Sequence, residues 1–101
     1  MNHNPKKIVT AISYYHIEQD IVSNRKSRHK TIHQLTLFET EITSQDLHLK
    51  LESIYDISYR SFSNDDGLLY LHTNQGVVPF KIETDPDDFI KHFHKMKHDH
   101  Q

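Results

Sequence analysis

Leu68-Leu69-Tyr70-Leu71-His72-Thr73, Asn74-Gln75-Gly76, Val77-Val78-Pro79-Phe80-Lys81-Ile82 and Thr84-Asp85-Pro86-Asp87-Asp88 follow one another in the stretch that decides the fold. The apolar run in 68–73 reads as a strand, and apolar side chains alternate at Val78, Phe80 and Ile82, which is the period of a strand with one buried face. Asn74-Gln75-Gly76 turns the chain between them, with Gly76 suited to the left-handed position of a three-residue hairpin loop. Pro79 has no N–H to donate. Its strand therefore lies at a sheet edge, or its N–H side is unpaired at that point. The chain then starts a helix. Asp85 can cap it, and Pro86 at the first helical position sacrifices no helical hydrogen bond. Asp87 and Asp88 put negative charge at the positive end of the helix dipole. Phe89, Ile90, Phe93 and Met96 make one apolar stripe, and Lys95, Lys97 and His98 suit the negative end.

Upstream, Ser63-Asn64-Asp65-Asp66-Gly67 is the strongest loop signal in the chain, with Gly67 available for positive φ. Tyr55, Ile57 and Tyr59 alternate with polar neighbours, as do Leu47, Leu49 and Leu51. Each set predicts a strand with one wet face. Ser44-Gln45-Asp46 is a turn. Leu35 and Leu37 share one face of a strand over 32–38, whereas Phe38, Thr40 and Ile42 have the other parity, which predicts a bulge or bend near Phe38. Asn24 to Lys30 reads as a basic connection. For residues 8–22 both helix and strand stay open. Ile8, Ala11, Ile12, Tyr15 and Val22 fall close to helical spacing, while Ile8-Val9-Thr10 and Tyr14-Tyr15 favour strand. Strand is adopted because the rest of the chain is β-rich.

The expected architecture is one α+β, mainly β domain over residues 1–101, with frayed tails at 1–7 and 98–101. A bent antiparallel β-sheet or barrel is capped by one C-terminal helix at about 86–97. Of the 101 residues only 35% are apolar, so five Tyr and five Phe carry much of the packing. No cysteine is present. That excludes disulfides, thiolate metal sites and a cysteine nucleophile, and fits a reducing compartment. No apolar run is long enough to span a bilayer. The apolar stretch after Lys6 and Lys7 is too short for a signal peptide and leads to no small-residue cleavage site. The expected setting is cytoplasmic. The net charge of −2 is split unevenly, +4 over residues 1–34 and −6 over residues 35–101. Such polarity steers charged partners or favours self-association.

The order of elements resembles a bacterial pleckstrin-homology-like (PH-like) domain, in which a bent sheet is plugged at one end by a C-terminal helix. Glu41-Ile42-Thr43-Ser44-Gln45-Asp46-Leu47-His48-Leu49 resembles the strand-turn-strand near the start of that family. Leu51-Glu52-Ser53-Ile54-Tyr55-Asp56-Ile57 looks like the strand that follows. Leu69–Gly76 and Thr84–Ile90 are similar to its last hairpin and helix start. The resemblance covers about residues 30–97. It implies a non-enzymatic scaffold that binds a protein partner or self-assembles into a homo-oligomer, and names no ligand.

Arg25, Lys26 and Arg28 are the candidate ligand-binding residues, because guanidinium and ammonium groups suit phosphate. The resemblance implies that a basic first hairpin can hold an anionic or lipid headgroup. A solvated basic loop explains the same residues. His94 and His98 stand i, i+4 on the helix, opposite the apolar stripe, and two imidazoles so placed can grip zinc or nickel. A helix end made soluble by polar residues is the plainer account. Ten histidines also predict added positive charge at acid pH. Asp65-Asp66 and Asp85-Asp87-Asp88 lack the calcium-loop pattern and serve as turn and cap residues. Tyr14, Tyr15, Tyr55, Tyr59 and Tyr70 either line a peptide groove or pack as aromatic core with wet hydroxyls. There is no G-x-S-x-G elbow, and two glycines cannot build a phosphate-cradling loop. The expectation is no enzyme, no catalytic residue and no cofactor. Nor is there a basic pI or an aromatic-interleaved basic strand for nucleic acid. Peripheral membrane contact is allowed by the basic segment.

Overall fold

A computed structural model describes residues 7–64 and 66–99, without the Val22 side chain. Among the described residues, seven antiparallel strands are followed by one helix: β1 (Ile8–Val22), β2 (Arg25–Phe38), β3 (Glu41–Thr43), β4 (His48–Lys50), β5 (Ile54–Ser63), β6 (Asp66–Thr73), β7 (Gly76–Ile82) and α1 (Asp87–Asp99). The strands hydrogen-bond in the order β4-β3-β2-β1-β7-β6-β5. The class is therefore α+β and mainly β, with a single C-terminal helix, as the PH-like pattern implies.

The alternation read from the sequence builds the core. Ile12, Tyr14, Leu35, Leu37, Ile57, Leu69, Leu71, Phe80 and Ile82 point inwards from five strands. Phe89 and Phe93 of α1 pack into the same cluster, with Ile90 and Met96 partly buried at its margin. The helix start follows the expected chemistry. Asp85 Oδ1 accepts the Asp87 N–H at 3.0 Å, and the Pro86 carbonyl accepts the Ile90 N–H at 2.9 Å. The far end is tied by Lys97 Nζ, which donates to the Leu51 carbonyl at 3.0 Å. Because α1 runs to Asp99, residues 98–99 are helical rather than a frayed tail. Residues 1–6, 100 and 101 lie outside the described residues.

Residues 8–22 are one long strand, paired with β2 from Ile8↔Phe38 to Val22↔Arg25. Of the bulge or bend expected near Phe38, the bend is present at Glu39-Thr40, and the register shift lies on β1 between Ile8 and Thr10, opposite Phe38 and Leu37. Leu47, Leu49 and Leu51 are not one alternating strand. β4 is three residues long, Leu47 before it is exposed, and Leu51, buried as the pattern predicts, belongs to a 3₁₀ turn at Leu51–Ser53 rather than to the strand. A register shift between Ile54 and Asp56 in β5 likewise puts Ile54 in the core and leaves Tyr55 67% exposed. Gly67 does not take positive φ. That role in the β5–β6 turn falls to Asn64 (φ 48°), while Gly76 has φ 122° as expected. Pro79 is not on an edge strand. β7 lies between β1 and β6 but pairs with β1 only at Tyr15↔Lys81, so β1 has left it by Pro79. The edges are β4 and β5.

Candidate functional site

The segment read as a basic connection is strand. Only Ser23 and Asn24 make the turn, both with positive φ (52° and 64°), the pattern of a type I′ hairpin. Among the described residues, no third strand pairs with the hairpin beyond Tyr15 on β1 and Ile32 on β2. Residues His16–Thr31 thus form a two-stranded arm of about 23 Å, at 3.3 Å per residue. Almost all of its side chains are exposed. The radius of gyration is 15.7 Å and the long axis 53 Å. A compact chain of this length has a radius of about 13 Å.

The arm has two different faces, because cross-strand partners share a side. Its inner face continues the core parity of Ile12 and Tyr14. It carries His16, Glu18 and Asp20 from β1, and Arg25, Ser27, His29, Thr31 and His33 from β2. His29 lies 3.6 Å from Asp20. At the root, the buried Tyr14 ring packs edge-on to Phe80 at 4.9 Å and beside His16 and His33. Its hydroxyl accepts the Gln45 N–H at 3.0 Å, which ties the arm's base to the β3–β4 turn.

The outer face pairs Tyr15 with Ile32, Ile17 with Lys30, Gln19 with Arg28 and Ile21 with Lys26. Ile17, Ile21 and Ile32 are 44%, 72% and 65% exposed. Lys30 crosses the Tyr15 ring, 4.7 Å from its centroid, to pair with Glu83. That hydrogen bond raises the Lys30 pKa, and the Glu83, Tyr15 and Asp66 charges add to the rise. Lys26 and Arg28 have no ion-pair partner among the described residues. The candidate trio is therefore split. Lys26 and Arg28 share the outer face with the isoleucines, and Arg25 stands on the inner face opposite Val22.

His94 and His98 are both exposed on α1. His94 Nε2 donates to Asp56 Oδ1 at 3.2 Å, and the same oxygen accepts the Ile57 N–H at 2.8 Å. The backbone hydrogen bond first, and His94 second, hold the Asp56 carboxyl below its usual range. Among the described residues no group of three or more His, Cys, Asp or Glu is arranged to hold a metal ion. The five tyrosines do not converge on one groove. Tyr14 is buried, Tyr55 exposed, and Tyr15, Tyr59 and Tyr70 half-buried on different strands. No described helix is long and apolar enough to cross a membrane.

Comparison with family models, curated proteins and solved structures finds no match for this chain. The geometry of the arm therefore carries the functional reading.

The exposed isoleucines are the feature that sequence reading missed. A signal was present. Tyr15, Ile17 and Ile21 have the opposite parity to Ile12 and Tyr14, so a single strand had to show one set to solvent. It went unused because residues 8–22 also fit helical spacing.

Proposed function

We propose that this chain is a non-catalytic PH-like module that works in the cytoplasm by binding a protein partner or by self-assembly. The outer face of the β1–β2 arm is its contact surface. One observation carries the reading: Ile17, Ile21 and Ile32 stand exposed on one side of a ribbon that no third strand covers. A two-stranded ribbon is marginally stable in water. Clustered exposed apolar side chains mark interaction sites. The cysteine-free composition fits a reducing compartment.

The test is sedimentation velocity over a concentration series, comparing the wild type with Ile17→Thr/Ile21→Thr/Ile32→Thr. Threonine keeps the strand preference and removes apolar surface. The wild type should grow in mass with concentration and the triple variant should not. Identical behaviour of the two proteins would remove the isoleucine face as the contact surface.

A second reading rests on Lys26 and Arg28 flanking Ile21 on that same face, an arrangement that also suits an anionic headgroup at a lipid surface. It calls for Lys26→Ala/Arg28→Ala to lose retention on phosphatidylserine vesicles, with Arg25→Ala, on the opposite face, unchanged.

A further inference from the structure

We propose that the outer face of the arm docks on the acidic start of α1 in a second copy of this chain. The inference rests on the reading of the arm as a contact surface and names its occupant. Charge complementarity within the one sequence supports it. On the arm, Lys30 is already neutralised by Glu83 of its own chain, with Asp66 contributing to the same field. Lys26 and Arg28, farther along the same face, have no described partner, and that face of the arm carries no carboxylate. On the body, Asp85 is engaged by the Asp87 N–H. The exposed carboxylates of Asp87 and Asp88 have no ion-pair partner among the described residues. Two unpaired cations on the arm therefore match two unpaired carboxylates on the body.

The same charges decide the type of contact. Apposing two arms through their outer faces would gather Lys26 and Arg28 of both copies on one contact that has no carboxylate of the arm to match them, a like-charge arrangement that interfaces reject. The contact is therefore heterologous, arm to body. It closes into a ring if the rotation permits and otherwise extends as a chain. The isoleucines supply apolar burial alongside the ion pairs. The body offers Phe62, 58% exposed near the end of β5, where the β5–β6 register puts Ser63 opposite Asp66.

The test is a charge exchange read by sedimentation velocity and light scattering. Wild type should associate at low salt and weaken by about tenfold or more between low and high salt, as expected for exposed ion pairs within a Debye length. Lys26→Glu/Arg28→Glu should be monomeric, and so should Asp87→Lys/Asp88→Lys. An equimolar mixture of the two variants should regain association. Asp87→Asn/Asp88→Asn stands in if the lysines unfold the helix start, and should weaken association without a large change in thermal midpoint. A monomeric wild type, association indifferent to both pairs of substitutions, or a mixture that stays monomeric would each overturn the proposal. If Ile17→Thr/Ile21→Thr/Ile32→Thr abolishes association while the charge variants do not, the arm stands as the contact surface and the acidic helix start falls. A wild-type monomer retained on anionic vesicles assigns the face to lipid instead.

Discussion

Gly67 lies against Tyr59 so closely that a side chain at position 67 has no room. A Cβ there would stand 2.8 Å from Tyr59 Cζ and 2.6 Å from the Arg60 carbonyl oxygen. Gly67 is the second residue of β6 and pairs with Ser61 beside the second irregularity of β5. The glycine thus serves close packing and not backbone freedom. Gly67→Ala should destabilise the fold by about 1–3 kcal/mol, the range for overpacking a filled site. Adding Tyr59→Ala should recover only part, because the Arg60 carbonyl remains. Urea unfolding of the single and double variants checks this, and a neutral Gly67→Ala would contradict the close approach.

Asp56 predicts a defined acid response. Its carboxyl is held below the ordinary range by the Ile57 N–H and by His94. A depressed folded-state pKa contributes stability that is present above the unfolded value, about 4, and lost as pH falls through the folded value. The side chain is 64% exposed, so solvent screening limits the contribution to about 0.5 kcal/mol or less. Asp56→Asn should flatten the fall in thermal midpoint below about pH 4. It should leave the midpoint near neutral pH slightly lower. An unchanged acid limb in the variant would show that the carboxylate is not anchored as described.

Core and arm should answer to substitution very differently. Leu71 is 0% exposed between β5 and β7, and Leu71→Ala should cost about 2–5 kcal/mol. Ile21→Ala, with the same kind of side chain on the arm, should change stability by no more than about 0.5 kcal/mol. Chemical denaturation of both variants at low protein concentration, where association does not contribute, checks the contrast.

The turn of the arm can be improved. Ser23 holds φ of 52° at a position better suited to asparagine, and glycine best tolerates the position of Asn24. Ser23→Asn/Asn24→Gly should stabilise the hairpin by about 1 kcal/mol, because it relieves the left-handed φ that costs ordinary residues about 1–2 kcal/mol. Hydrogen exchange should slow at amides of residues 16–31 and stay unchanged in β6. Slower exchange throughout the sheet would instead show that arm and core open together.

Much of the framework was legible because local chemistry was unambiguous. Asp85 and Pro86 announce the helix, and Phe89 and Phe93 announce its buried stripe, through side chains that act within one turn of chain. The strands around Leu35, Leu37, Leu69, Leu71, Phe80 and Ile82 were legible because both neighbours of each buried residue are less buried. Tyr55 and Leu47 were misplaced because a register shift between Ile54 and Asp56 resets parity and β4 begins only at His48, and neither carries a strong residue signature. Gly67 was misread because loop composition cannot distinguish a glycine required by φ from one required by a neighbour's ring.

The basic segment shows the limit most clearly. That Arg25, Lys26 and Arg28 are cationic, and that Ile17, Ile21 and Ile32 are apolar, belongs to the sequence alone. So do the capped helix and the uneven charge of the two halves. Which of these residues share a face depended on where the chain turns, and Ser23-Asn24 is a weak turn signal with no glycine. Once that turn is set, the antiparallel register places Lys26 opposite Ile21 and Arg28 opposite Gln19, and sends Arg25 to the other side. The exposure of that face was decided at longer range still. β7 meets β1 only at Tyr15↔Lys81, so the pairing of strands distant in the chain leaves the arm without a third strand among the described residues.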